Sequence, residues 1–173
     1  MGVGTNRVNR YTIQTATEGV AQTISKNNFE PAVKGVIIGY DTRHRSFDFA
    51  KVASEVFAGH GIPVYLFSAA SPTPLVSFEL LRRNAAAGII ITASHNPPEY
   101  NGYKVYWKNG GQIVPPLDGK IINQIRNIKG IDEIPVIPFE KALEQMNIEW
   151  IHKAADDYYL NTVSNLILGN CGN

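Results

Sequence analysis

The sequence predicts an α/β fold built on a parallel sheet with helices packed against it. Three short apolar runs rich in β-branched residues carry the prediction: Lys34 to Tyr40, Ile62 to Phe67 and Gly88 to Thr92. Segments of helical apolar spacing precede or separate them, and strand–helix alternation of this kind marks a parallel sheet with right-handed crossovers. Ligands in such sheets collect beyond the carboxyl ends of the strands. Two polar loops fall there, Asp41 to Ser46 and Thr92 to Asn101.

Taken in order, Met1 to Arg10 reads as loop, and Thr15-Ala16-Thr17-Glu18 has capping-box spacing for a helix running to about Asn27. After the first strand, Phe49, Val52, Ala53, Val56 and Phe57 lie at helical spacing, and Gly59 and Gly61 close that helix. Thr73 before Pro74 reads as an N-cap followed by proline at the first helical position, with the helix ending near Arg83. Tyr103 to Trp107 reads as a strand and Asn109-Gly110-Gly111 as a hairpin turn, with Gln112 to Val114 returning. Asp118 to Ile128 is helical. Residues 130–140, with Pro135 and Pro138, read as an extended connection, and Trp150 to Leu168 as a second long helix. The expected division is a first domain over residues 1–145 and a helix over 146–173 leading toward a second domain.

The chain has 173 residues, of which 44% are hydrophobic, enough for one domain with a real core. A formal net charge of +1 does not call for a nucleic-acid partner. The apolar runs are too short to span a bilayer, and the first 30 residues lack the continuous apolar stretch of a signal peptide. Cys171 is the only cysteine, so no disulfide can form within the chain, and a reducing cytoplasm is the expected compartment.

The second polar loop carries chemistry. Ser94 follows directly on a buried strand, so its hydroxyl stands on a rigid base and can face a cleft. His95 is adjacent, Asn96 can donate hydrogen bonds, and Pro97 and Pro98 restrict the backbone. Asn101-Gly102 allows a tight turn that brings Lys104 back toward the serine. A serine hydroxyl is a weak nucleophile and needs a base or a reactive phosphate nearby. If phosphorylated it carries about −1.5 to −2 charges and needs cations and donors around it; Lys104, His95 and Arg43 are the candidates. Singly, each residue also fits a plainer role. Ser94 can cap a loop, His95 can sit on the surface, Lys104 can guard an edge strand, and Arg43 can pair with Asp41 or Asp48.

Thr92-Ala93-Ser94-His95-Asn96-Pro97, followed by Asn101-Gly102-Tyr103-Lys104, resembles the active-site serine loop of the α-D-phosphohexomutases, the family of phosphoglucomutase and phosphomannomutase. Gly39 to Arg43 is similar to that family's first-strand loop, Pro72-Thr73-Pro74 to the segment after its second strand, and Asn109-Gly110-Gly111 to the turn after its lysine strand. The aromatic residues Tyr103, Tyr106 and Trp107 resemble the branch that contains phosphopentomutase and glucose-1,6-bisphosphate synthase.

The resemblance implies a three-layer fold with a mixed, mainly parallel sheet flanked by helices, as in the family's first domain. It implies that Ser94 is the phosphoserine that exchanges phosphoryl groups with a hexose phosphate through a glucose 1,6-bisphosphate-type intermediate. It further implies that Mg²⁺ binds Ser94 through its phosphate, that Lys104 assists proton transfer, that His95 positions the phosphate, and that Arg43 supports the loop or the phosphate. The family's metal loop, sugar loop and C-terminal phosphate loop do not occur in this sequence, and its upstream segment would precede Met1. The chain is therefore expected to be one domain of a longer enzyme and inactive alone. A non-catalytic phosphosugar- or partner-binding module is the alternative. A serine hydrolase is disfavoured because no G-x-S-x-G elbow surrounds Ser94.

Overall fold

The computed structural model describes residues 7–27 and 35–167. Within them a five-stranded sheet has the order β4-β3-β1-β2-β5. Strands β1 (Val36–Tyr40), β2 (Val64–Phe67), β3 (Ala87–Ile91) and β5 (Ile148–Ile151) run parallel, while β4 (Tyr103–Trp107) pairs antiparallel with β3. The helices are α1 (Arg10–Lys26), α2 (Ser46–Gly59), α3 (Thr73–Arg82), α4 (Leu117–Arg126), α5 (Phe139–Glu144) and α6 (Ala154–Ser164).

β1 sits at the centre with all five residues buried, and its side chains alternate between two cores. Ile38 and Tyr40 face a large cluster with Val20 of α1, Phe49 and Phe57 of α2, and Ile121 of α4. Ile37 faces a smaller cluster with Val76 and Leu80 of α3 and Ala155 of α6. The layers are therefore helices, sheet, helices, the architecture the resemblance implies. Continuous apolar strands such as Ala87–Ile91 follow from burial on both faces.

Two buried carboxylates tie the layers together. Glu79 of α3, fully buried, accepts from Arg82 Nε (2.6 Å) and Arg83 Nε (2.9 Å). Arg83 reaches on to Glu149 of β5, and the Arg82 guanidinium lies over the Tyr158 ring of α6. Glu18 of α1 accepts from His60 Nε2 at the end of α2 (2.6 Å) and from Gln22 Nε2 (2.7 Å).

Several expected element boundaries are corrected. α1 begins at Arg10, not near Thr15: Asn9 caps it, exchanging bonds with Thr12 through both backbone and side chain (3.0 and 2.9 Å). A threonine at the third helical position completes the reciprocal box as a glutamate would, whereas the Thr15 hydroxyl turns back to the Tyr11 carbonyl. α3 is capped by Pro72, with Thr73 already helical. The return strand after Gly111 shrinks to one bridge between Tyr106 and Gln112, because Pro115 and Pro116 supply no amide donors to continue it. The connection over residues 130–140 holds a short 3₁₀ turn, Ile131–Glu133, and the start of α5.

The largest correction lies after residue 145. Trp150 is not helical but belongs to β5, paired with Leu66 of β2, and the helix begins only at Ala154. Trp150, Ile151, Ala154 and Ala155 satisfy a helical spacing, so four strand residues are hidden inside an apparent helix. The sheet thus extends beyond the expected boundary at 145, and α6 packs on α3 through the edge-to-face pair Phe78–Tyr159. The readings of Met1–Asn6, Lys34, Leu168 and Cys171 fall outside the described residues. Among the described residues no helix is long and apolar enough to cross a membrane.

The Glu18–His60 pair tests the α1–α2 contact. Both groups are largely buried, at 5% and 17% side-chain exposure, so His60→Ala strands a carboxylate beside only Gln22. The expected loss is about 2 kcal/mol in urea unfolding, with partial recovery in the Glu18→Gln/His60→Ala double variant.

Candidate functional site

The site forms where β1 and β3, adjacent and parallel, both end. Beyond Tyr40 the chain enters the Asp41–Arg45 loop, and beyond Ile91 it enters the serine loop. The Asp41 amide still donates to the Ile91 carbonyl (3.2 Å), so the loops leave the sheet side by side. After the serine loop the chain reverses and returns as β4 along β3. The closure is tight: the Thr92 amide donates to Gly102 O (3.1 Å), and a Cβ on Gly102 would stand 2.7 Å from the Thr92 carbonyl oxygen. A side chain at 102 would push the two segments apart.

This reversal brings Ser94 and Lys104 together. Lys104 Nζ donates to Ser94 Oγ at 2.9 Å, across ten residues of sequence. Ser94 is exposed and has φ of 59°, a left-handed backbone that a residue with a Cβ adopts at a cost. Its amide is fixed by the Thr92 hydroxyl (3.0 Å). The serine oxygen therefore projects to solvent from a backbone held in an uncommon conformation.

Arg43 lies below the loop. Its side chain is 9% exposed. Nη1 donates to the carbonyls of Asn96 and Pro97, both at 2.6 Å, and to Tyr100 at 3.4 Å, while Nη2 donates to the Ser94 carbonyl. Nε pairs with Asp41 Oδ2 at 2.8 Å. All of these donors are directed at the loop's carbonyls and at Asp41. The planar guanidinium gathers four carbonyls of a proline-restricted loop onto one side chain.

Asp41 is the partner that holds Arg43 in place. Its carboxylate accepts from the Arg43 amide (3.1 Å) and from the hydroxyls of Ser46 (2.7 Å) and Thr92. Burial disfavours its charge, but hydrogen bonds from Thr92, Ser46 and the Arg43 amide, with the Arg43 charge, outweigh burial and hold the carboxyl below the ordinary aspartate value. Asn101, fully buried, donates to Ser46 Oγ (3.0 Å) and His44 O (3.2 Å). His95 is exposed at the rim, beside the Ser94–Lys104 pair rather than within it. Of the four sequence candidates, then, Ser94 and Lys104 meet, Arg43 supports from below, and His95 stands beside them.

The supporting residues Asp41, Ser46, Thr92 and Asn101 are not among the sequence candidates. Asp41 was detectable as the first polar residue after a buried strand. The interest of Ser46 and Asn101 lies in burial, which no local pattern announces. A shallow cleft of about 360 Å³ opens beside the loop, lined by Tyr40, Asp41, Thr42, Arg45 and Phe47 among others.

An α/β domain that presents a serine and a lysine at the carboxyl end of adjacent strands, on a loop held from below by an arginine, is a defined class of scaffold. Residues 1–131 match the family described as phosphoglucomutase/phosphomannomutase, alpha/beta/alpha domain I, and the chain belongs to that family. It is similar to a phosphopentomutase of Pongo abelii, at 45% identity over 131 residues, covering 72% of this chain and 21% of the relative. It is also similar to a phosphoglucomutase of Staphylococcus haemolyticus, at 35% over 166 residues, covering 96% and 30%. Among solved structures, a phosphomannomutase candidate of Thermus thermophilus superposes with a TM-score of 0.76 at 27% identity, covering 96% of this chain and 34% of that one. The chain therefore spans between a fifth and about a third of the length of these relatives.

The depressed carboxyl of Asp41 gives the site a signature in acid. Its native-state charge stabilises the fold above the ordinary aspartate value of 3.8, and that contribution is lost as pH falls through the lower folded value. Stability measured by urea unfolding should fall between about pH 4 and pH 2 more steeply in wild type than in Asp41→Asn.

Proposed function

We propose that this chain is the phosphoserine-bearing domain of a phosphosugar mutase of the phosphoglucomutase/phosphomannomutase type. The observation that carries the reading is the 2.9 Å approach of Lys104 Nζ to an exposed Ser94 Oγ on a loop fixed by Arg43 and Asp41. A rigidly presented oxygen with a cation against it suits a group that must hold and release phosphate. Family membership and the named mutases among its relatives support the same assignment.

In the proposed step the bond between phosphorus and Ser94 Oγ breaks as a bond from a sugar hydroxyl oxygen to phosphorus forms. Lys104 stabilises the charge that collects on Ser94 Oγ, and the proton lost by the sugar hydroxyl ends on that oxygen. The bisphosphorylated sugar then returns its other phosphoryl group by the reverse exchange, which restores phospho-Ser94 and completes transfer between the 1- and 6-positions. His95, exposed beside the serine, would contact the phosphate in this reading. A hexose phosphate is the proposed substrate and glucose 1,6-bisphosphate the proposed activator. The phosphopentomutase relatives at 45% identity make a pentose phosphate the second reading.

Mg²⁺ is the metal the family resemblance implies. Among the described residues no three histidines, cysteines or carboxylates cluster to hold a metal, and Ser94 brings only one hydroxyl oxygen. The donor set of the described residues does not by itself fit a divalent cation, and its further ligands would come from other domains. Those domains, the sugar phosphate and a cytoplasmic setting complete the proposal.

The test uses the domain within a full-length mutase. After incubation with glucose 1,6-bisphosphate, intact-mass analysis should show one added phosphoryl group in wild type and none in Ser94→Ala. The variant should keep its fold and lose interconversion of glucose 1-phosphate and glucose 6-phosphate. A wild-type protein that never carries phosphate on Ser94 would favour the phosphosugar-binding module. The 173-residue chain alone should show no measurable interconversion, and turnover at ordinary enzyme rates would overturn the requirement for further domains.

A further inference from the structure

Ser94 and Lys104 face each other through side chains, but their backbones are also joined underneath. Asn101, three residues before Lys104 and fully buried, donates to Ser46 Oγ at 3.0 Å. Ser46, itself 1% exposed, donates to Asp41 Oδ1 at 2.7 Å. Thr92, 6% exposed, is bonded to Asp41 through its hydroxyl and accepts from the Ser94 amide at 3.0 Å. Four linked side chains, all but Asp41 buried, thus run from the foot of β4 to the backbone of the serine.

We infer that Ser46 is a positioning residue, the link through which Asn101, Asp41 and Thr92 set the separation between the Lys104 ammonium and the Ser94 oxygen. β4 needs such a link. Among the described residues it pairs along its length only with β3, and on its other side it meets a single bridge at Gln112. Its carboxyl half is steadied by Ser77 Oγ, which donates to the Gly110 carbonyl in the following turn (2.6 Å). Its amino half, where Lys104 sits, is steadied by Asn101.

Ser46 is the member of this chain that can be removed most cleanly. Without its hydroxyl, Asn101 keeps the His44 carbonyl, and Asp41 keeps Arg43 and Thr92. One Asn101 Nδ2–H gives up its bond to Ser46, but Asn101 and Asp41 each keep a partner, so the fold survives while the tie between the two loops is cut.

The inference rests on the phosphoserine reading, and one experiment separates the two. Phosphoserine is incorporated at position 94 of the 173-residue chain, without divalent metal, and its phosphate is titrated by ³¹P NMR in wild type, Lys104→Met, Ser46→Ala and the double variant. Asp41 and Arg43 beneath the loop, and His95 on it, are common to all four samples. A cation at hydrogen-bond distance lowers the midpoint of the phosphate, so Lys104→Met should raise it by about one pH unit. Ser46→Ala should raise it by about half as much in the wild-type background and not at all in the Lys104→Met background, because its effect passes through Lys104. Ser46→Cys, nearly isosteric with a weaker donor, should move it in the same direction and keeps the test alive if Ser46→Ala loses the far-UV spectrum of wild type.

Identical midpoints in wild type and Lys104→Met would overturn the pairing of Lys104 with the phosphate on which the phosphoserine reading leans, and the inference with it. A wild-type midpoint in Ser46→Ala, beside a shifted Lys104→Met, would overturn the inference alone. So would a Ser46→Ala shift of equal size in both backgrounds.

Discussion

Asp41 is a carboxylate at the end of the central strand, three-quarters withdrawn from solvent, and the site above it depends on how its charge is satisfied. A carboxylate so far desolvated and without partners would take up a proton or swing outward. Here three sources of donors converge on it: Arg43 from its own loop, Ser46 from the first turn of α2 and Thr92 from the end of β3. Each donor belongs to a different element, so meeting the demands of one charge fixes three pieces of backbone at once. Arg43, held by that charge, then has its remaining donors aimed at the serine loop rather than at water.

The sheet order makes this convergence unavoidable. β1 is central, β3 is its neighbour, and both run the same way, so their carboxyl ends deliver the Asp41 loop and the Ser94 loop to one place. The antiparallel return of β4 does the rest. In the β3–β4 ladder Lys104 lies opposite Ile90, and its long side chain reaches past the end of β3 to the serine oxygen. A parallel β4 would need a crossover and would place a different end of the strand beside the loop. The tight turn that allows antiparallel return requires Gly102, because a Cβ there would meet the Thr92 carbonyl.

Legibility in the sequence divides along physical lines. The apolar runs that became β1, β2 and β3 were readable because both faces are buried and the strands carry no polar alternation to confuse them. The meeting of Ser94 and Lys104 was readable because they lie on one short segment with a turn between them. β5 was not, because four residues bounded by helices give too few periods to distinguish two from 3.6, and Trp150 and Ile151 fit either. The start of α1 was missed because Asn9 and Thr12 make a less familiar version of a capping box than Thr15 and Glu18. Asn101 was legible as a turn former but not as a buried anchor. Its partners Ser46 and His44 lie more than fifty residues away, and only the folded sheet brings them together.

The same geometry bounds the charge this loop can offer a phosphate. The sequence supplies three candidate cations, Arg43, His95 and Lys104, and as a composition they look sufficient for a group carrying about −1.5 to −2 charges. Folding divides them. The Arg43 guanidinium is committed to Asp41 and to four carbonyls beneath the loop, so its charge is already balanced and its donors are spent. Lys104 faces the serine with one positive charge, while His95 stands exposed beside the pair. A phosphate on Ser94 would then keep a net negative charge on the exposed face of this domain. Charge left over in that position attracts a cation or the positively charged surface of another domain. The arginine that would have neutralised it is held under the loop, so in the proposed phosphoserine reading the remaining charge would be met by groups other than these three.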